Sequence, residues 1–369
     1  MNFDVFVPTR ILSGVGCVKE NRERLVLGKK AYLVTGKSGA KKSGALDDVI
    51  SVLNEAGVEY LHFDGCCENP KLLDCYEAGK QAAAFGADYI IGIGGGSALD
   101  SAKAVAVFAA NPSIEAEDAF ELSKRPNPAL PLVAIPTTSG TGSEANSYAV
   151  MSMPDGLHKK TIKGEDCWPR VAFLDPTYTY SLGAYYTVSC ALDAFAHSME
   201  SYLSSNSTDF SHLCTLYAAE IILDILKREQ TEFSKEDRAR LQNAATAAGI
   251  AISVTGTGFP HPMGYGITMM DGVPHGAACA VFYGAYIDYN MRDPIGRERI
   301  EAFCKAIHTT PRELSALLPR LSGVRLSFTE KEIQTRVGLI AGAKNYVNSP
   351  YVINDEEKIE IYRELFFHG

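Results

Sequence analysis

The sequence predicts an α/β domain with a parallel sheet, followed by an all-α domain. Up to about residue 180, short β-rich runs alternate with helical stretches. Strands that alternate with helices pair in parallel, because each crossover needs a helix to cover the sheet. Beyond about residue 182 the strand signal fades and only helical patterns remain. We therefore place the two domains at 1–180 and 181–369.

The individual elements follow from the spacing of apolar residues. Compact apolar runs predict strands at 31–35, 58–63, 88–93 and 130–135. Amphipathic stretches between them predict helices at 43–56, 74–85 and 98–110, the second of which Gly86 closes. In the second domain we predict helices at 189–203, 211–228, 235–253 and 311–318. Small residues at 244–249 would let helices approach closely, which places the helix at 235–253 in the middle of that domain.

The composition excludes several classes of protein. The 369 residues are 46% hydrophobic and 21% charged, which is typical of a folded globular chain and not of a disordered one. Because the net charge is -9 and no basic stripe is visible, we expect no nucleic-acid partner. No apolar run approaches the roughly 18 residues of a membrane span, so we expect no membrane partner. The first residues do not resemble a signal peptide, and nine cysteines without a CxxC pair indicate reduced thiols in a cytoplasmic protein.

A glycine-rich turn follows the strand predicted at 88–93. Gly94-Gly95-Gly96-Ser97 leads into a helix, where glycines let the backbone approach a phosphate and free amides attract its charge. Ser97 is a candidate N-cap, with Asp100 three residues on as in a capping box. The turn matches neither GxGxxG nor the Walker P-loop. Taken alone, it is interpreted equally well as a tight strand-to-helix turn without a ligand.

A second turn shifts the interpretation toward a bound ligand. The segment 135–144 also leaves a predicted strand and is rich in glycines and hydroxyls, among them Thr137, Thr138 and Thr141. Such groups could hold a phosphate, a ribose or a carboxamide. Together with the first turn and a third one after the strand at 31–35, this pattern suits a long ligand such as a dinucleotide.

The third turn bears on which dinucleotide is preferred. It reads Thr35-Gly36-Lys37-Ser38, and two more lysines follow at 41 and 42. An acidic residue at position 36 would favour the free ribose hydroxyl of NAD, whereas glycine beside a lysine leaves room and charge for the 2′-phosphate of NADP. The sequence therefore favours NADP, with merely solvated lysines as the alternative interpretation.

One acidic residue and three histidines form a candidate metal site. Asp193 and His197 are four residues apart, which puts both on one helix face. His261 and His275 follow further along the chain. One carboxylate and three imidazoles suit Fe2+ or Zn2+. An Asp-x-x-x-His pair alone is weak evidence, because many such pairs are merely solvated, but the small apolar neighbours at 191–196 argue against solvation here.

These motifs resemble those of the iron-containing (group III) alcohol dehydrogenases over essentially the whole chain. The matching segments are 6–11, 35–38, 68–70, 94–103, 135–144, 173–176 and 359–365. The resemblance implies a Rossmann-like N-terminal domain and a helical C-terminal domain, a dehydroquinate synthase-like architecture. It also implies an active site in the cleft between the domains.

The resemblance assigns roles residue by residue. The metal-ligand positions of the family fall on Asp193, His197, His261 and His275. The pyrophosphate-binding turn falls on Gly95, Gly96 and Ser97. The further cofactor contacts that it implies are Gly36, Lys37, Ser38, Asn69, Asp100, Thr137, Thr138, Thr141 and Lys159.

The resemblance leaves the proton relay open. Besides His275, the catalytic candidate is Tyr265, which lies four residues after His261. Some members of the family carry a histidine there, thought to help relay the proton. Because a phenol is a poorer proton acceptor near pH 7 than an imidazole, either Tyr265 shapes the pocket or the relay runs elsewhere.

The implied reaction is reversible hydride transfer between a small primary alcohol, or a diol, and NAD(P). A metal ion would act as the Lewis acid, and we expect Fe2+, with Zn2+ as the alternative. We expect NADP to be preferred over NAD. The resemblance to the family also implies a homodimer. A zinc-dependent glycerol or polyol dehydrogenase remains an alternative. A dehydroquinate synthase-like lyase lacks support, because no Arg/Lys cluster surrounds residues 261–275. A nucleotide-binding sensor is the non-enzymatic alternative.

Overall fold

The computed structural model describes residues 3–367, so the predictions for residues 1–2 and 368–369 lie outside the described part. The chain divides into two compact units. The sheet unit consists of Phe6–Leu182 and Phe233–Gly249. The helical unit consists of Met1–Val5, Gly183–Glu232 and Ile250–Gly369. The chain thus leaves the sheet unit after Leu182, close to residue 180, and returns to that unit for Phe233–Gly249.

The sheet unit alternates strands and helices. Its strands are β1 (Arg10–Ser13), β2 (Lys30–Gly36), β3 (Glu59–Cys66), β4 (Tyr89–Gly94), β5 (Leu132–Pro136), β6 (Ala149–Ser152), β7 (Lys159–Ile162) and β8 (Val171–Leu174). Its α-helices up to Leu182 are α1 (Cys17–Glu20), α2 (Arg22–Leu25), α3 (Gly39–Lys42), α4 (Ala45–Glu55), α5 (Leu72–Phe85) and α6 (Gly96–Ala110). Short 3₁₀ helices lie at Ala116–Phe120, Leu122–Lys124, Ser143–Ala145, Glu165–Cys167 and Pro176–Thr179.

Six of these strands form one parallel sheet in the order β1-β8-β5-β4-β2-β3, while β6 and β7 pair antiparallel. Strands β4 and β5 are buried along their whole length, as expected in a parallel sheet that helices cover on both faces. Apart from the edge strand β1, the order is that of a doubly wound sheet whose switch point lies between β2 and β4. The predicted parallel α/β architecture is confirmed.

The four strands predicted from the sequence are β2, β3, β4 and β5. The other four strands were not predicted, because each has only four residues, too few to show a clear period. Helix α5 ends where expected, since Gly86 adopts the left-handed conformation with φ 74° and closes it.

One helix was assigned to the wrong unit. Helix α9 (Lys235–Thr255) was expected in the middle of the helical domain, but its residues up to Gly249 belong to the sheet unit. A β-carbon at Gly249 would lie 2.5 Å from the carbonyl oxygen of Gly142. Gly249 and Ala245 of this helix therefore admit the backbone of the turn after β5.

The helical unit contains no strand among its described residues, as predicted. Its helices are α7 (Ala184–Leu203), α8 (Asp209–Leu226), the end of α9, α10 (Pro260–Asp271), α11 (His275–Ala280), α12 (Tyr283–Asn290), α13 (Pro294–Ala306), α14 (Pro311–Ser322), α15 (Glu330–Ile340) and α16 (Asp355–Phe366), with a 3₁₀ helix at Lys344–Asn348. Helix α7 packs against α8 and α11. None of the helices in the described chain combines the length and the apolar character that crossing a membrane requires.

Candidate metal centre and dinucleotide-binding turns

Three helices of the helical unit bring the predicted metal ligands together. Asp193 and His197 lie one turn apart on α7. His261 and His275 lie in the first turns of α10 and α11, each directly after a proline. Proline suits a helix start, because its fixed φ is helical and its missing N–H would have no partner there.

A glycine sets how closely α11 approaches α7. A β-carbon at Gly276 would lie 1.9 Å from the carbonyl oxygen of Ser189 and 2.8 Å from the β-carbon of Asp193. No larger residue fits at this position without separating the two helices. The His275-Gly276 pair therefore places an imidazole beside the carboxylate of Asp193.

The three imidazoles converge on a single carboxylate oxygen. The Nε2 atoms of His197, His261 and His275 lie 3.8, 3.7 and 4.0 Å from Oδ1 of Asp193. Two donor atoms bound about 2.1 Å from one tetrahedral ion lie about 3.4 Å apart. The three distances from Oδ1 of Asp193 exceed this separation by only a few tenths of an ångström.

Burial supports a cation at this cluster. The side chains of Asp193, His197 and His261 are 5, 6 and 5% exposed, whereas His275 is 30% exposed. Oδ1 of Asp193 is buried and accepts no hydrogen bond from the described residues. Leaving a buried carboxylate uncompensated costs several kcal/mol, and a cation at this point would compensate it. The residues present therefore fit a metal ion.

Glu200, which the sequence analysis missed, orients one of the histidines. Its carboxylate is 1% exposed and accepts hydrogen bonds from Nδ1 of His261 at 2.8 Å, from the Gly258 amide at 2.6 Å and from the Tyr283 hydroxyl at 2.8 Å. A carboxylate can only accept, so His261 carries its proton on Nδ1 and presents the lone pair of Nε2 to the cluster. Carboxylates commonly hold metal-binding histidines in this way.

The spacing of Glu200 would have been a usable signal. It lies seven residues after Asp193 on α7, two turns further along the same face. A second missed residue is Cys279, whose sulfur lies 3.7 Å from Nε2 of His275.

Tyr265, the predicted catalytic residue on α10, stacks on His275 with ring centroids 5.8 Å apart. Burial raises the pKa of the Tyr265 phenol above its usual range, and the nearby Cys279, Glu200 and Asp193 raise it further. The phenol therefore stays protonated at neutral pH. It can donate a hydrogen bond but cannot act as a base without help.

In the sheet unit, the first two glycine-rich turns pack against each other. The amide of Thr137 donates to the carbonyl of Gly94 at 2.9 Å. A β-carbon at Gly95 would lie 3.2 Å from Cγ2 of Thr138, and one at Gly96 only 2.4 Å from Cγ2 of Thr141. The glycines therefore allow the two turns to share one edge of the sheet.

The capping prediction at the first turn was wrong. Helix α6 begins at Gly96 with Gly95 as its N-cap, so Ser97 lies inside the helix. Asp100 makes no capping box. Its carboxylate accepts from the Ser143 hydroxyl at 2.6 Å and from the Val150 amide at 2.9 Å, and so ties α6 to the segment after β5.

Lys103 lies next to Asp100 at the base of these turns. Its ammonium is fully buried and donates to Oγ of Ser143 at 2.8 Å, Oδ1 of Asn146 at 3.0 Å and the carbonyl of Tyr148 at 2.7 Å. Burial lowers the pKa of Lys103 to about 8. Through these hydrogen bonds, the buried ammonium fixes the end of the second turn and the residues that follow it.

The third turn lies at the end of β2, beside β4 in the sheet. No carboxylate occupies position 36, and the side chains of Lys37 and Ser38 are exposed. Ligands of doubly wound sheets bind at the switch point, at the carboxyl ends of the strands. The turns after β2 and β4 flank that point.

Two other predicted cofactor residues lie side by side. The ammonium of Lys159 donates to Oδ1 of Asn69 at 2.8 Å. Asn69 adopts a positive φ of 56°, which asparagine tolerates better than most residues. The pair joins β7 to the segment after β3.

Comparisons with known proteins agree with this architecture. The sequence profile of iron-containing alcohol dehydrogenases matches residues 8–176, and the profile of the C-terminal part of the Fe-containing alcohol dehydrogenase family matches residues 187–318. A 1-propanol dehydrogenase of Citrobacter freundii is 34% identical over 253 residues, which cover 68% of this chain and 64% of that protein. The match thus spans just under two thirds of that relative.

Several solved structures match almost the whole chain. An iron-containing alcohol dehydrogenase from Thermotoga maritima has a TM-score of 0.91 and 32% identity, with 99% of both chains covered. A sulfoacetaldehyde reductase from Bifidobacterium kashiwanohense, solved in complex with NAD+, has a TM-score of 0.87 and 25% identity, with 100% of both chains covered.

The fold and these comparisons together define a metal-dependent alcohol dehydrogenase. The chain belongs to the iron-containing alcohol dehydrogenase family. The resemblance drawn from the sequence motifs is confirmed.

Proposed function

We propose that the chain catalyses reversible hydride transfer between a small primary alcohol or diol and NADP, with one divalent ion held by Asp193, His197, His261 and His275. The observation that carries this proposal is the convergence of three Nε2 atoms within 4.0 Å of Oδ1 of Asp193. When bound, the metal supplies Lewis-acid chemistry and the nicotinamide exchanges the hydride. We expect Fe2+, with Zn2+ suited to the same donor atoms.

The residues around the centre have separate tasks in this proposal. Glu200 fixes the protonation of His261, so that the imidazole faces the ion through Nε2. His275 is the most exposed of the ligands, and it leaves one side of the cluster open to an alcohol oxygen. Tyr265, stacked on His275, keeps its proton and donates a hydrogen bond to the substrate instead of accepting a proton.

The glycine-rich turns would hold the cofactor. The amides at the start of α6, at Gly95, Gly96 and Ser97, suit the pyrophosphate, because the first amides of a helix have no partner within it. Thr137, Thr138 and Thr141 offer hydroxyls from the second turn. The Asn69–Lys159 pair is a further cofactor contact, and Asp100 acts by tying the two turns together.

The preference for NADP is proposed from the third turn. Gly36 brings no carboxylate, and Lys37 and Ser38 are exposed beside it. A β-carbon at Gly36 would lie 3.4 Å from the carbonyl of Cys66, so a side chain is tolerated there. We therefore expect Gly36→Asp to raise the KM for NADPH strongly and to change the KM for NADH little. Equal effects on both cofactors would argue against this assignment.

A cytoplasmic location and a homodimer complete the proposal. The nine cysteines, all of which lie among the described residues, form no disulfide, which suits a reducing compartment. The homodimer follows from the resemblance to the family. Light scattering of the purified protein at twice the mass of the chain would agree with it, and the mass of one chain would not.

The direct test uses protein purified without oxygen. We expect about one iron or zinc per chain and reduction of butanal with NADPH faster than with NADH. His197→Ala should lose the metal and the turnover but retain NADPH binding, because its side chain lies in the helical unit and the turns lie in the sheet unit. His308→Asn is a matched control, since His308 is exposed and asparagine tolerates its positive φ. Full turnover by His197→Ala after exhaustive chelation would contradict the proposal.

A further inference from the structure

A thiol lies beside the metal ligands. Cys279 follows His275 by one turn of α11, so both side chains are on the same helix face. Its sulfur lies 3.8 Å from Nδ1 and 3.7 Å from Nε2 of His275. The residue is fully buried. The His-x-x-x-Cys pair on α11 thus repeats the spacing of the Asp193–His197 pair on α7.

The sulfur of Cys279 lies close enough to the other ligand atoms to belong to the same cluster. Four residues offer ligand atoms that all lie within 4.8 Å of one another, namely Asp193, His261, His275 and Cys279. The cluster also contains the buried Oδ1 of Asp193, which accepts no hydrogen bond from the described residues. That buried oxygen points to a cation at this place independently of the cysteine.

We propose that Cys279 is an additional ligand of the metal ion, a proposal that rests on the function proposed above. On binding, the thiol releases its proton to solvent and its sulfur bonds to the ion as thiolate. A Zn–S bond of about 2.3 Å is longer than a Zn–N bond of about 2.0 Å, so a sulfur slightly further from the centre is suitably placed.

The added thiolate changes which ion the centre prefers. Thiolate ligands favour soft ions such as Zn2+, whereas carboxylates and imidazoles bind Mn2+ and Fe2+ without that bias. Cys279 therefore moves the preference of this centre toward Zn2+, compared with the same centre without a thiol. Cys279 is therefore a physical reason to expect that this centre binds Zn2+ as well as Fe2+.

The test titrates the metal-free full-length protein with Co2+, whose absorption reports its ligands. A thiolate ligand gives an intense charge-transfer band in the near ultraviolet, which nitrogen and oxygen ligands do not give. We expect this band to saturate at one Co2+ per chain and to be absent in Cys279→Ser. Cys304→Ser is the matched control, because Cys304 is also buried in the helical unit but lies outside the cluster, and it should keep the band.

A second measurement compares metals. In Cys279→Ser the affinity for Zn2+ should fall by about tenfold or more, while the affinity for Mn2+ should be nearly unchanged. Circular dichroism checks that the variant folds, and Cys279→Ala serves if the serine is not tolerated.

The outcomes separate this proposal from the proposed function. Co2+ binding without a charge-transfer band, or a band that survives in Cys279→Ser, would overturn the role of Cys279 and leave the proposed function intact. No binding of Co2+ by the wild-type chain would overturn both.

Discussion

Replacing Glu200 by glutamine tests how far the metal centre depends on a residue that does not itself face the ion. The carboxylate accepts from three buried donors, on Gly258, His261 and Tyr283. A glutamine has one acceptor oxygen, and its amide NH₂ must face at least one of these donors. Each buried donor left without an acceptor costs about 1–3 kcal/mol of stability. The metal-free protein should therefore unfold more easily in urea by about that amount.

The same change should weaken metal binding by a separate route. Without the carboxylate, the protonation of His261 is no longer fixed and its Nε2 becomes a poorer ligand. Loss of such a partner commonly costs about 10–100-fold in metal affinity, or about 1.4–2.7 kcal/mol. Competition between the metal-free variant and a coloured chelator for Zn2+ measures this directly.

A control separates the effect of the site from a general effect of removing a negative charge. Glu301→Gln removes a carboxylate from α13 at an exposed position, and both its stability and its affinity for Zn2+ should match the wild type. If Glu200→Gln binds Zn2+ as tightly as the wild type, the argument that Glu200 orients His261 is refuted.

In Gly96→Ala the new β-carbon would lie 2.4 Å from Cγ2 of Thr141. The free energy of unfolding should therefore fall by about 1–3 kcal/mol, and a fluorescence titration should show a lower affinity for NADPH. Lys103→Met should reduce the free energy of urea unfolding by about 3–5 kcal/mol, since it leaves three oxygens without their buried donor. Hydrogen bonds from Arg363 lower the pKa of Glu330 from 4.5 to about 2. Because the folded pKa is the lower one, this pair stabilises fully above pH 4.5 and loses its effect as the pH falls through 2. The difference in Tm between wild type and Glu330→Gln should therefore shrink steadily below pH 4.5.

Each of these expectations has its own control or contrary result. Gly338→Ala on α15, where no atom lies within 4 Å of the new β-carbon, should not affect NADPH binding. An equal loss of affinity in both glycine variants would refute the argument that the contact with Thr141 causes the effect. If Lys103→Met were as stable as the wild type, the buried ammonium would make no net contribution to the free energy of unfolding. If the Tm difference between wild type and Glu330→Gln grew toward low pH, the predicted direction of the pH effect would be wrong.

The central strands, and the carboxylate and three imidazoles that converge in the helical unit, could be predicted from sequence for physical reasons. Strands β4 and β5 are covered on both faces, so their sequences are continuous apolar runs. Asp193 and His197 share a helix face through their four-residue spacing, and that spacing is visible in any sequence. Family motifs then selected His261 and His275 from the eight histidines.

Other features depend on contacts that no local pattern reveals. The spacing of Glu200 shows that it shares a face of α7 with Asp193, but not which donors α10 and α12 bring to its carboxylate. Helix α9 was assigned to the wrong unit because small residues allow close approach without saying which backbone approaches, and here it is that of Gly142. The N-cap was misplaced from Gly95 to Ser97 because three consecutive glycines carry no side-chain signal for where α6 begins.

The most direct test of the central claim is a crystal structure of the protein grown with Zn2+, with anomalous data collected on both sides of the zinc edge. The account predicts one strong peak per chain, about 2.0–2.2 Å from a carboxylate oxygen of Asp193 and from Nε2 of His197, His261 and His275. A peak bound elsewhere, or these four side chains well ordered around no ion at saturating Zn2+, would contradict it.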